Sequence, residues 1–120
     1  MMFKSYLIPK LKDGSKTETR RVWKRINVKV GSAYPVMRDY RHKYREEDGF
    51  VEILEIRKQK LREMTEEDAK REGSPSLESF IEMWRDISSN WDPEQEVDVI
   101  RFKWIYREIM KVIEYGKSRI

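Results

Sequence analysis

Between Leu77 and Ile87 the apolar residues Leu77, Phe80, Ile81, Trp84 and Ile87 fall at offsets 0, 3, 4, 7 and 10, which is one face of a helix. Ser76, just before the stripe, is a residue type that caps helix N-termini. A single apolar stripe asks for cover, so Phe80 and Trp84 read as core rather than as a platform for stacking bases. Upstream, "TEEDAKREG" sets Thr65 three residues before Asp68 in a capping-box arrangement, with acids first, bases last and Gly73 as the stop: a second, shorter helix. Elsewhere the period is nearer two. "KTETRRV" reads as a short strand, and "NVKVGSAYPVM" as two short β-segments around a Gly31-Ser32 turn. "FVEILEIRKQKLREM" sets Val51 and Ile53 against Glu52 and Glu55, and "EVDVIRFKWIY" puts Ile100, Phe102 and Trp104 on one side of a strand. Near the N-terminus Tyr6, Leu7 and Leu11 recur at roughly helical spacing despite Pro9, and Gly14 reads as a C-cap or turn. The tail "REIMKVIEYGKSRI" fits either a continuing helix or a final strand. Many short strands, two adjacent helices and one closing strand predict an α+β fold, a small β-barrel with short helices packed at one end.

Composition narrows the chemistry. A chain of 120 residues builds one core and hence one domain, and 38% hydrophobic residues supply it without covalent staples. With no cysteine, a disulfide framework, a thiolate nucleophile and thiolate zinc sites are excluded. The one histidine, His42, sits in the charged run "RDYRHKYREEDG" and reads as a surface loop residue. The acids of "REEDGF" read as a solvated turn, and neither a metal nor another cofactor is expected. No apolar run approaches the roughly 20 residues of a membrane span, and "MMFKSYLIPK" lacks a signal-peptide core, so a cytoplasmic protein without a membrane partner is expected. Charged residues make up 40% of the chain, a composition associated with ion-pair networks in thermophilic proteins. Their distribution is uneven: residues 1–45 carry 13 Lys/Arg against 3 Asp/Glu, and residues 46–96 carry 7 against 16. Either these segments neutralise each other, or the first presents a basic face to phosphates.

The stretch "GSKTETRR", Gly14 to Arg21, fits the pattern G-x-K-x-x-T-x-R. With "TEEDAKREGSPSLESFIEMW" about 45 residues on and a closing "VIRFK" strand, it resembles the ASCH domain family, whose members share a PUA-like β-barrel. The resemblance covers residues 1–104, leaving 105–120 as a C-terminal extension of the same domain. It implies an RNA or modified-nucleoside partner. One bacterial member of that family is a 4-acetylcytidine amidohydrolase, in which a Lys accepts a proton, a Thr is the nucleophile and a Glu donates a proton. The matching positions are Lys16, Thr19 and Glu72, with Gly14, Arg20 and Arg21 as ligand-binding candidates. Other members are RNA-binding modules or ribonucleases.

The residues themselves suit that chemistry. A Thr hydroxyl needs a neighbouring base, and a Lys amine serves only when burial or nearby cations such as Arg20 and Arg21 depress its pKa. The negative pole of the short helix disfavours a Glu72 anion, whereas a nearby Lys16 favours it. In an extended strand Lys16 and Thr19 would point to opposite faces, so Lys16 must belong to the turn after Gly14. The competing readings are plain ones: an exposed turn lysine, a threonine packed in a strand, an arginine in a fold-stabilising ion pair, a solvated helix end. Three functions follow in order: nucleoside or RNA binding with or without amide hydrolysis, and last a ribonuclease, which would lack a histidine pair.

Overall fold

The alternating segments around Val51 and Ile100 become the two long strands on which everything else is hung. In the computed structural model, which describes residues 1–38 and 49–109, the chain runs through α1 (Ile8–Lys12), β1 (Glu18–Arg21), β2 (Ala33–Pro35), β3 (Phe50–Lys60), α2 (Glu66–Arg71), α3 (Leu77–Ser88) and β4 (Glu96–Ile105). The sheet is antiparallel throughout in the order β1-β4-β3-β2. Met2 adds an isolated parallel bridge to Met37. The architecture is α+β as expected, but two strands of 10 and 11 residues replace a set of uniformly short ones.

Local chemistry explains the elements. Pro9 enters α1 within its first two positions, where a missing N–H costs nothing. Glu52 and Glu55 are three apart because Leu54 is an extra residue: the register passes from Ile53 opposite Phe102 to Glu55 opposite Arg101. The bulge lets Ile56 rejoin Val51 and Ile53 on the same packed face. Gly49 is required by close approach, since a Cβ there would lie 2.5 Å from the Ile105 carbonyl oxygen. The first half of "NVKVGSAYPVM" is not a strand. Val28 is buried but Val30 is exposed, and regular pairing to Ile53 begins only at Gly31 and Ser32.

Both sheet faces are covered. On one, Val51, Ile53, Ile100 and Phe102 pack with Phe3, Ile8, Leu11, Val28 and Val36. On the other, Val97, Val99 and Leu61 meet Trp84 and Trp91, under α2 and α3. Thr65 and Asp68 form the capping box of α2, and Ser76 caps α3. Among the described residues no helix is long and apolar enough to cross a membrane. His42, the acids at 46–48 and the ambiguous tail beyond 109 lie outside the described residues.

Candidate functional site

The floor of the site is built where the turn after α1 meets the end of α2. Gly14 turns the chain with φ +80°. The next residues are then pinned from both sides: Thr17 N–H donates to Arg71 O at 2.7 Å, and Thr17 O accepts from Phe102 N–H at 3.0 Å. Lys16 therefore precedes β1, and its side chain turns inward beneath Glu72, the C-cap of α2. Its ammonium is 3% exposed and donates to Glu18 O at 2.8 Å, Glu72 O at 3.0 Å and Glu72 Oε1 at 2.9 Å. All three N–H bonds are thus used. Gly73 holds φ +90° beside this contact, and a Cβ there would lie 3.3 Å from Lys16 Cβ, so side-chain bulk at the helix exit would press on the lysine.

The other Glu72 oxygen, Oε2, accepts from Arg20 Nη1 at 3.1 Å. The same Arg20 nitrogen reaches Glu18 Oε1 at 3.3 Å, while its Nη2 lies 3.4 Å from Asp68 Oδ1 in ionic contact without a hydrogen bond. Arg20, a ligand-binding candidate of the sequence that also lines the cavity, thus faces three internal carboxylates. Neither Glu18 nor Asp68, both buried, is among the candidate site residues of the sequence, where Asp68 reads only as a helix cap. The available signal was electrostatic, since an arginine-rich strand placed in a core demands carboxylates beside it.

Thr19 and Arg21, two apart on β1, share a face. Arg21 Nε donates to Thr19 Oγ1 at 3.0 Å, Nη2 donates to Met2 O at 2.7 Å, and the guanidinium lies 5.0 Å from the Phe3 ring centroid. No carboxylate among the described residues forms an ion pair with Arg21. Burial pushes its pKa down, with Glu72 opposing. Burial is also the largest influence on Lys16, holding its ammonium below the usual lysine range against the pull of Glu72, and Arg21 and Arg20 add to the depression.

These side chains line one cavity of about 530 Å³, within the range of small-molecule sites. Lys16, Thr19, Arg21 and Glu72 contribute its polar floor; Phe3, Tyr6, Leu7, Met83, Trp84 and Ile87 are among its apolar walls. Gly14 is not part of the lining and acts through the turn. The α3 stripe is the clearest correction here. Phe80 is buried as expected, but Ile87 is 58% exposed and Trp84 is half-buried, so the helix gives one edge to the core and another to the cavity. Trp84 is held from behind by Phe80 and Trp91, at ring distances of 5.8 and 6.5 Å. Nor does the basic N-terminal segment yield a purely basic floor, because Lys16 and Arg20 are matched to acids. Among the described residues no group of three or more His, Cys, Asp or Glu side chains is placed to hold a metal ion.

No family model matches the sequence, and neither does any curated protein. Solved structures do. The ASCH domain from Lactobacillus crispatus JV V101 aligns at TM-score 0.71 and 18% identity over 85% of this chain and 72% of that one. A protein from Enterococcus faecalis V583, described under the family model DUF984, aligns at TM-score 0.60 and 15% identity over 88% and 72% respectively. At these identities the likeness concerns the backbone, and with the sheet and helices described above it identifies the chain as having the fold of an ASCH domain.

Proposed function

We propose that the cavity binds a cytidine-type nucleoside, free or within RNA, and that Lys16, Thr19 and Glu72 hydrolyse the acetyl amide of 4-acetylcytidine there. The observation that carries the reading is the Lys16–Glu72 contact of 2.9 Å, nearly excluded from water, at the floor of the cavity that Thr19 also lines. An ammonium–carboxylate pair and an amine–carboxylic acid pair contain the same number of protons. Burial holds the Lys16 ammonium below the usual lysine range, so the low-dielectric floor brings its amine form within reach. In that form Lys16 is a base and Glu72 an acid. Thr19 Oγ1 attacks the acetyl carbon and passes its proton to Lys16, while the Arg21 Nε hydrogen bond holds Oγ1 in place for the attack. Collapse breaks the C–N bond, N4 takes the Glu72 proton, and cytidine leaves. Water then cleaves the acetyl ester, releasing acetate and restoring Thr19.

A non-catalytic binding module is the second reading, and one observation favours it: every N–H of Lys16 already has an acceptor, as in a purely structural cation. In that case Arg21, without an acidic partner among the described residues, is the contact for a phosphate or base edge. Incubation with 4-acetylcytidine followed by chromatography separates the two. Hydrolysis predicts cytidine and acetate, with Lys16→Ala, Thr19→Ala and Glu72→Ala each removing nearly all turnover and double variants little worse than singles. Binding alone predicts no product, and a loss of only about 0.5 to 1.5 kcal/mol in affinity for Thr19→Ala. RNA binding is read by filter retention at two ionic strengths, where affinity must fall as salt rises.

A further inference from the structure

We propose that Arg20 is a positioning residue: it grips the carboxylates at both ends of α2 and so fixes the Glu72 carboxylate against Lys16. The proposal rests on the reading of Lys16 and Glu72 as the reacting pair, and goes beyond it by assigning what aligns them. The Arg20 side chain has no solvent exposure. Its Nη1 holds Glu72 Oε2 at the C-terminal end of α2, and its Nη2 faces Asp68, which caps the N-terminal end through Thr65 N–H. Its Nε donates to Gln59 Oε1 on β3 at 3.0 Å. One planar fork thereby ties α2 to β1 and β3 at a fixed height. A lysine could offer only one nitrogen to acceptors lying in different directions.

The consequence for Glu72 follows from its two oxygens. Oε1 faces Lys16 and Oε2 faces Arg20, so the carboxylate plane is set by two cations. Without Arg20, Oε2 loses its anchor and the group is free to rotate, taking Oε1 off Lys16. The charges facing Lys16 are then Glu72 and Arg21, together with the Glu18 carbonyl dipole. Rotation of Oε1 off Lys16 takes away the Glu72 attraction and hydrogen bond that support the ammonium, and these outweigh the Arg20 repulsion lost with the side chain, so Lys16 titration moves downward.

The test compares wild type with Arg20→Met, Arg20→Lys and Arg57→Gln. Arg57 shares Glu18 and Asp68 with Arg20 but does not touch Glu72. Circular dichroism establishes folding, NMR of labelled lysine follows Lys16 titration, and 4-acetylcytidine turnover is measured against pH. For Arg20→Met the expected result is a downward move of Lys16 titration, a fall in kcat of about 100-fold from misalignment, and little change in KM. Arg20→Lys recovers part of both, and Arg57→Gln leaves the pH profile where it was. Should Arg20→Met not fold, the comparison of Arg20→Lys with Arg57→Gln carries the same contrast. A folded Arg20 variant with unchanged Lys16 titration and unchanged kcat overturns the proposal. If wild type releases no cytidine, the hydrolytic reading fails by itself, and the Lys16 titration in the variants still decides whether Arg20 sets the pair.

Discussion

Glu72→Gln removes one charge from the buried Lys16–Glu72 pair at the cavity floor while keeping its shape. Lys16 retains two acceptors, the carbonyl oxygens of Glu18 and Glu72, and Arg20 retains Glu18 and Asp68. Breaking one side of a buried pair costs about 3 to 5 kcal/mol in general. Here the cost has a ceiling, because Lys16 can escape by releasing its proton. Starting from an ordinary value of 10.5, neutralising a lysine at pH 7 costs about 5 kcal/mol, and two surviving hydrogen bonds bring the expected loss to about 2 to 4. The sign with pH follows from proton counts. In the variant the folded Lys16 pKa falls further below that of the unfolded chain, so between them the unfolded state binds more protons and stability rises with pH. Where Lys16 is neutral in the variant but still charged in wild type, the gap between them narrows by about 1.4 kcal/mol per pH unit. Urea unfolding at pH 7, 8 and 9 reads this directly, with Lys16→Met/Glu72→Gln recovering part of the loss because no uncompensated ammonium remains. A Glu72→Gln penalty under about 1 kcal/mol and flat with pH would refute the argument.

Three further outcomes are expected. Asp68 is pushed up by burial, but the Thr65 backbone N–H, Arg71, Arg20 and Gln59 hold it down at about 2. Its folded value is depressed, so it contributes up to about 2 kcal/mol above pH 4 that disappears as pH falls toward 2, and acid unfolding of Asp68→Asn should lack that component. Gly73→Ala forces a positive φ on a Cβ that crowds Lys16, so thermal melting should report a loss of about 1 to 2 kcal/mol, with 4-acetylcytidine turnover falling alongside. Trp84→Ala should cost about 2 to 3 kcal/mol by urea unfolding, less than a full core truncation because the ring is half-buried, and should also weaken nucleoside binding in calorimetry; unchanged binding would remove α3 from the site.

Local patterns determined much of this protein. The capping box at Thr65 and Asp68, the Ser76 cap, the stop at Gly73 and the alternation around Ile100 each depend on neighbours within one or two turns or on period-two packing, and each reappears in the structure. The octapeptide also carried a usable constraint, since opposite strand faces forced Lys16 out of β1. What the sequence left undecided was every matter of who faces whom across long separations. Arg20 and Arg21 are adjacent, yet opposite strand faces send one to three carboxylates and the other to Thr19 and the cavity. Helical periodicity told that α3 has an apolar face, but what covers that face depends on strands and an N-terminal segment far away in sequence, which is why Trp84 and Ile87 border a cavity. Glu18 and Asp68 looked like ordinary acids in a highly charged chain. Only the packing of α2 onto β1 buries them, and burial is what turns a surface charge into an obligatory partner.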